Sequence, residues 1–219
     1  MTTSITLLLT ALAALQPAPR QVSFETADGA TIVAEVYGQG TDAVVLAHGA
    51  AFNKESWKAL AQDLARGGHL VVAIDFRGYG ASTQGREDKA LYQDVLAAVR
   101  YARAQGAKTV GVLGASMGGG ASARAAVAAR AGEIDRLMLL AAVAIEHPEN
   151  MKAGRFLFVA SRDEPMAPSV AGQFERAPEP KRMEWLDGSA HAQHVFKTGQ
   201  AAKLTALVIE FFAPASRPR

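Results

Sequence analysis

The chain has 219 residues, of which 49% are hydrophobic and 20% are charged, and its formal net charge at pH 7 is +2. This length and composition predict one globular domain with its own core and exclude a chain with long disordered stretches. The small net charge and scattered basic residues exclude a surface suited to nucleic acid, and the absence of cysteine excludes disulfides, thiolate nucleophiles and sulfur-bound metals.

The first twenty residues form a separate segment, because an apolar run from Ile5 to Leu15 is followed by Pro17 and Pro19. The run has the length of a signal-peptide core and is too short for a stable membrane span, but residues 1–4 carry no lysine or arginine. As a signal peptide, this segment would make the protein secreted or periplasmic. As a short helix packed on the domain, it would leave the protein cytoplasmic.

The predicted elements begin with an antiparallel hairpin over Gln21 to Tyr37, which turns at the two-residue signal Asp28-Gly29. After the hairpin, short apolar strands alternate with amphipathic helices. The predicted strands are 43–47, 70–74, 109–113, 137–143, 156–160 and 182–186. The predicted helices are 54–66, 88–105, 117–131, 170–176 and 195–212.

This alternation predicts an α/β fold with a mostly parallel, doubly wound sheet that has helices on both faces, and the N-terminal antiparallel hairpin makes the sheet mixed. The domain is predicted to extend over residues 21–213. Residues 214–219 are predicted to form a frayed tail.

A G-x-S-x-G pattern, Gly114-Ala115-Ser116-Met117-Gly118, lies between a predicted buried strand and a predicted helix. In this position the pattern is typical of a nucleophile elbow, because a sharp turn projects the Ser116 hydroxyl out of the sheet and the glycines leave room for the backbone. The helix also directs its positive N-terminus at Ser116, so the Met117 N–H is a predicted oxyanion donor. The alternative interpretation is a glycine-rich helix start without chemistry.

A second oxyanion donor is predicted in the loop after strand 43–47, where His48-Gly49-Ala50 stands at the right point in the chain. The Ala50 N–H is the candidate donor. His48 is interpreted as a residue that braces this loop through hydrogen bonds. Phe52, which follows the loop, is the candidate for lining an acyl pocket.

The base and the acid are expected after the nucleophile, in the order nucleophile, acid, base. His191 is favoured as the base, because it lies in a loop just past a predicted strand, whereas His194 is interpreted as a solvated residue near the closing helix. The acid belongs in the loop after strand 156–160, where Asp163 and Glu164 are neighbours. Their chemistry alone leaves both candidates open.

Four motifs follow one another in the order found in the α/β-hydrolase family, which the chain resembles over about residues 21–213. They are Ala47-His48-Gly49-Ala50, the stretch from Ile74 to Ser82 (IDFRGYGAS), Gly114-Ala115-Ser116-Met117-Gly118-Gly119 and Gly188-Ser189-Ala190-His191. Family members often have a small-x-x-D-x-x-x-P pattern after the acid strand, and matching Ser161 and Pro168 to it implies that Glu164 is the acid. This glutamate departs from the commoner aspartate, so Asp163 stays a candidate. The resemblance also implies a structural role for Asp75 and Arg77.

The resemblance implies a serine hydrolase that cleaves small carboxylic esters through an acyl-enzyme intermediate, without a metal or cofactor. Serine as nucleophile argues against the family branches that use aspartate or cysteine there. Only residues 144–155 separate two predicted strands where many members insert a helical lid, so we expect an open, shallow site for small acyl substrates. Thioesterase, amidase and acyltransferase activities with the same residues, and a catalytically silent binding protein, remain alternatives. The sequence predicts no oligomeric state.

Overall fold

The computed structural model of the protein describes residues 18–214. The predicted segment 1–20 and the predicted tail 214–219 therefore lie almost entirely outside the described residues. The strands are β1 (Arg20–Glu25), β2 (Thr31–Tyr37), β3 (Asp42–Ala47), β4 (Leu70–Ile74), β5 (Thr109–Ala115), β6 (Arg136–Leu140), β7 (Phe156–Ser161) and β8 (Lys181–Leu186). The helices are α1 (Lys58–Arg66), α2 (Leu91–Ala104), α3 (Met117–Ala128), α4 (Ala167–Arg176) and α5 (Ala201–Phe212), with 3₁₀ turns at Lys54–Trp57, Pro148–Asn150 and Ala192–Lys197.

The eight described strands form one sheet in the order β1-β2-β4-β3-β5-β6-β7-β8. β2 pairs antiparallel with β1 and β4, and the other neighbouring pairs are parallel. The predicted α/β class, with a mostly parallel sheet and an N-terminal antiparallel hairpin, is confirmed. Because β3 and β5 to β8 all run in one direction, the loops that follow them meet at the same edge of the sheet.

Two hydrophobic cores cover the two faces of the sheet, as a doubly wound fold requires. Alternate residues of β3 show how one strand serves both: Val45 packs into the core shared with α2, α3 and α4, whereas Val44 and Leu46 pack into the core shared with α1 and α5. This alternation follows from the two-residue period of a strand. Strands buried on both faces therefore appear in the sequence as continuous apolar runs.

The hairpin connection differs from the predicted two-residue turn. β1 and β2 are joined by a five-residue loop, 26–30, because the Thr26 hydroxyl binds Asp28 and the Ala30 N–H.

The buried Arg77 joins this loop to helix α2, because it binds both Asp28 of the loop and Asp94 of α2. Hydrogen bonds from Arg77 hold the pKa of Asp28 well below its usual value. Arg77 thus joins three elements, which fits the structural role expected for it.

The prediction of one continuous closing helix over residues 195–212 was wrong. The chain forms the 3₁₀ turn Ala192–Lys197, passes through extended backbone at Thr198, and starts α5 only at Ala201. The Thr198 hydroxyl accepts a hydrogen bond from the Gln200 N–H and so favours a new helix start.

Between β6 and β7 the structure contains only one three-residue 3₁₀ turn, so the predicted absence of a lid is confirmed.

Candidate active site

Ser116 lies at the junction of β5 and α3, in a backbone conformation that side-chain-bearing residues rarely adopt. Its φ is 50° and its ψ is −114°. The turn can form because Gly118 lies against the carbonyl oxygens of Ala47 and His48, where a Cβ atom would collide. Backbone hydrogen bonds hold the strained residue in place: its N–H donates to Leu140 O, and its carbonyl accepts from the N–H groups of Gly120 and Val143. This backbone places the partly buried Ser116 side chain at the carboxyl edge of the sheet.

His191 links the serine to a carboxylate. Its Nε2 lies 2.8 Å from Ser116 Oγ, and its Nδ1 lies 2.5 Å from Glu164 Oε2. With the Nδ1 proton donated to the carboxylate, the Nε2 lone pair is free to accept the Ser116 hydroxyl proton. The arrangement has the connectivity of a nucleophile, a general base and an orienting acid.

The structure brings only one of the two candidate acids to His191. The Glu164 side chain is fully buried, and its second oxygen accepts a hydrogen bond from the Ser161 N–H. Asp163 is exposed, and its backbone N–H binds Gly188 O. The turn that follows β7 therefore directs Glu164 inward and Asp163 toward solvent. The Ser161 hydroxyl donates to Ala190 O at 2.6 Å and fastens the histidine loop to the same strand end.

The two N–H groups predicted as oxyanion donors flank the serine. Met117 is the first residue of α3, so its N–H has no acceptor within the helix. Ala50 lies in a turn closed by the bond from Phe52 N–H to Gly49 O, and within residues 18–214 the Ala50 N–H has no hydrogen-bond acceptor. This turn lies close to the serine, since a Cβ placed on Gly49 would lie 3.4 Å from Ser116 Cβ.

Tyr79 contacts both Ala50 and Met117, the two residues whose N–H groups are the candidate oxyanion donors. Its hydroxyl donates to Ala50 O at 3.1 Å and lies 3.7 Å from Met117 Sδ. It thereby connects the turn after β4 to both sides of the site. We therefore expect Tyr79 to limit movement of the two N–H groups relative to each other.

Gln193 is a site residue that the sequence did not indicate. Its side-chain oxygen accepts a hydrogen bond of 2.7 Å from the Gly49 N–H, and its Nε2 donates to Ser56 Oγ at 2.8 Å. Because Gln193 is buried and follows His191 by two residues, it ties the histidine loop to the Ala50 turn. No motif marks such a glutamine, and its contacts depend on tertiary structure.

His48 is buried behind the site. It braces the Ala50 turn through hydrogen bonds, as the sequence predicted. Its Nδ1 donates to Gly49 O at 2.8 Å, and its Nε2 accepts from the Phe76 N–H at 3.3 Å. Burial lowers the pKa of His48. A neutral imidazole satisfies both hydrogen bonds, so His48 holds the loop without competing for the Ser116 proton.

Phe52 and His194 lie together beside the site. Their ring centroids are 4.9 Å apart, with Phe52 partly buried and His194 exposed. The cavity that reaches Met117 is lined by other residues, so an acyl-pocket role for Phe52 stays a prediction. His194 contacts neither Ser116 nor Glu164 by hydrogen bond in the described part of the chain.

Among residues 18–214, no cluster of three or more histidine, aspartate or glutamate side chains is arranged to hold a metal ion. Over the same range, no helix combines the length and the apolar character needed to cross a bilayer.

Comparison with known proteins identifies similar sequences and folds. The sequence model of the alpha/beta hydrolase fold matches residues 42–196. A curated relative, the AB hydrolase superfamily protein YisY of Bacillus subtilis (strain 168), is 26% identical over 176 residues, which cover 74% of this chain and 64% of that protein. The chain thus spans less than two thirds of this relative's length.

Solved structures share the fold at low identity. The esterase Pf2001 of Pyrococcus furiosus has a TM-score of 0.75 and 17% identity, covering 88% of this chain and 91% of its own. The esterase EaEST of Exiguobacterium antarcticum has a TM-score of 0.74 and 16% identity, covering 89% and 100%. A dienelactone hydrolase of Anabaena variabilis ATCC 29413 has a TM-score of 0.73 and 21% identity, covering 90% and 98%. At these identities the likeness concerns the fold alone.

Proposed function

This chain belongs to the α/β-hydrolase fold family, and from that premise we propose that it is a serine hydrolase that cleaves small carboxylic esters through an acyl-enzyme intermediate. The observation that carries the proposal is the hydrogen-bonded series Glu164, His191 and Ser116, with separations of 2.5 and 2.8 Å. A serine held in a strained turn beside a base that is itself oriented by a buried carboxylate has the geometry of an activated nucleophile.

In the proposed first half-reaction, Ser116 Oγ attacks the ester carbonyl carbon while His191 Nε2 accepts the hydroxyl proton. The carbonyl π electrons move onto oxygen, and the N–H groups of Ala50 and Met117 stabilise the resulting oxyanion. When the tetrahedral intermediate collapses, the bond to the alkoxide breaks and His191 gives its proton to the departing alcohol. Glu164 stays ionised throughout and stabilises the imidazolium.

In the second half-reaction, water attacks the acyl-enzyme and His191 accepts a water proton. The second tetrahedral intermediate forms its oxyanion at the same two N–H groups. Its collapse breaks the bond to Ser116 Oγ, which recovers its proton from His191, and releases the carboxylic acid. The proton transfers between Ser116 and His191 join two side chains that already lie within hydrogen-bond distance of each other.

Small substrates are favoured by the open edge of the sheet. Only a three-residue 3₁₀ turn interrupts the connection from β6 to β7, so the described chain has no helical cover there. A site without such a cover excludes water poorly, which suits hydrolysis of soluble esters better than protection of a reactive intermediate.

The experiment is to titrate the acid released from short-chain ethyl esters by wild type, Ser116→Ala and Ser122→Ala. We expect Ser116→Ala to lose about 10⁴–10⁶-fold in kcat, as loss of a triad nucleophile does. Ser122 is the matched control, because it is a buried serine of the same helix whose hydroxyl has no hydrogen-bond partner in the described chain. Equal activity of the Ser116 and Ser122 variants would contradict the proposal, and inactivity of folded wild type toward every ester would favour a binding protein.

A further inference from the structure

A narrow cleft begins at Met117 and extends along α3. It has a volume of about 160 Å³ and lies between α3, the start of α2 and residues 143–145. A shallower recess of about 320 Å³ continues from it, and the two share Tyr92, Arg124 and Ile145. Because the Met117 N–H is a proposed oxyanion donor, a substrate whose carbonyl oxygen binds there can extend into this cleft.

The inner wall of the cleft is apolar. Leu91, Val143 and Ile145 line it. Val143 is 42% exposed and is one of only two large hydrophobic side chains that are exposed within residues 18–214. A short aliphatic chain in the cleft would cover this side chain and would be favoured by the loss of apolar surface from water.

Two cationic side chains, Lys89 and Arg124, also line the cleft. In the described part of the chain neither forms an ion pair, in contrast to the buried Arg77. The one carboxylate along this path, Glu146, lines the outer recess and not the inner cleft. The inner cleft therefore combines an apolar wall with uncompensated positive charge.

The α3 helix sets the spacing between Arg124 and Met117. It follows Met117 by seven residues, or two turns, which places it on the same face of α3 and roughly 10 Å along the axis. Helical side chains lean toward the helix N-terminus, which favours a guanidinium directed back toward Met117. A guanidinium presents paired donors that match a carboxylate.

We propose that this cleft selects esters whose acyl chain ends in a free carboxylate, which Arg124 and Lys89 bind while the aliphatic carbons lie against Leu91 and Val143. The substrate class is thus half-esters of short dicarboxylic acids. This inference rests on the proposed function, because it takes Ser116 as the group that attacks the ester end of the same molecule.

The experiment compares monomethyl glutarate with methyl pentanoate, two esters whose acyl chains have equal length and differ in the terminal carboxylate. Wild type is expected to have the higher kcat/KM for the half-ester. Arg124→Gln is expected to lower the ratio of the two kcat/KM values roughly 10-fold, as loss of hydrogen bonds to a charged group does, and Lys89→Gln to lower it less. Arg100→Gln, which removes an exposed arginine of α2 outside the cleft, is the matched control and should leave the ratio unchanged.

An unchanged ratio in Arg124→Gln, or a wild-type preference for methyl pentanoate, would overturn the inference. Failure of the proposed function has a different signature, since wild type would then hydrolyse neither ester. In that case calorimetric titration with glutarate tests the cleft by itself. Binding by wild type that is lost in Arg124→Gln would support the anion site, and absence of binding by wild type would overturn it.

Discussion

Glu164 and Asp163 are neighbours in sequence but differ in burial and in contacts. Glu164 has a fully buried side chain that accepts hydrogen bonds from His191 and from the Ser161 N–H. Asp163 is exposed to solvent. Of the two carboxylates only Glu164 contacts the imidazole, so the proposed mechanism gives Glu164 the role of orienting the ring and stabilising its charged form.

We therefore predict that Glu164→Gln lowers kcat by about 10³–10⁴-fold, because an amide can hold the wrong imidazole tautomer and does not stabilise the imidazolium. Asp163→Asn is the matched control and should change kcat less than about twofold. Steady-state ester hydrolysis by the two purified variants, each checked for folding by circular dichroism, measures the difference. A larger loss of kcat in Asp163→Asn than in Glu164→Gln would show that Asp163, and not Glu164, is the acid.

Single residues of the site were predictable to the extent that chain order and local pattern constrain them. Ser116 is marked by its glycines, and His191 by its place after the last strand. Gln193 was missed, because its partner Gly49 lies 144 positions away and neither residue belongs to a pattern that signals the contact. The family pattern already implied Glu164, but the choice between Glu164 and Asp163 also required the burial and contacts of the two side chains, which the sequence does not reveal.

At the scale of elements, the site depends on how closely α3 approaches the sheet. Gly118 and Gly119 are buried at the start of this helix, and a Cβ on Gly118 would collide with the carbonyl oxygens of Ala47 and His48. Since His48 is the neighbour of the Ala50 turn, the same close approach brings the two proposed oxyanion donors together. Movement of α3 would therefore disturb packing and chemistry at once.

We predict that Gly118→Ala lowers the free energy of unfolding by about 3 kcal/mol or more, because α3 must move away from β3. The control is Gly172→Ala in α4, where an added Cβ has no atom within 4 Å. That substitution should raise stability by about 0.5–1 kcal/mol, since alanine favours a helix over glycine. Urea denaturation of both variants gives the comparison, and equal effects in the two would refute the packing argument.

Strand positions were predicted well, whereas connections and element ends were not. Strand 70–74 appears as a continuous apolar run and forms as predicted, because both of its faces are buried. The strand predicted over 137–143 ends at Leu140, since Ala141 turns into positive φ of 45°. Such backbone turns, like the break at Thr198, are set by tertiary contacts of each loop and not by hydrophobic periodicity.

At the scale of the whole molecule, two buried histidines make stability depend on pH. Burial lowers the pKa of His48 and of His69 from the usual value of 6.5. Below that value the unfolded chain binds protons that the folded chain does not yet bind. The free energy of unfolding should therefore fall as the pH decreases from 7 to 5.

Urea denaturation of wild type and His69→Gln at pH 7 and pH 5 tests this prediction. The variant removes one of the two groups, so its stability should change less between the two pH values than that of wild type. His69 is distant from Ser116 in the fold, being adjacent to the amino end of β4, so its removal leaves the proposed triad intact. A wild-type stability that is constant or higher at pH 5 would contradict the linkage to buried histidines.

The carboxyl edge of the sheet gathers Ala50, Ser116, Glu164 and His191 from four separate parts of the chain, and we propose that this assembly activates Ser116. The most direct measurement is labelling of the folded protein with a fluorophosphonate probe, followed by identification of the modified peptide by mass spectrometry. We predict one adduct, on Ser116, that is absent in Ser116→Ala, weak in Glu164→Gln and retained in Ser122→Ala. Absence of labelling in folded wild type, or an adduct that survives in Ser116→Ala, would contradict the activation of Ser116 by His191 and Glu164.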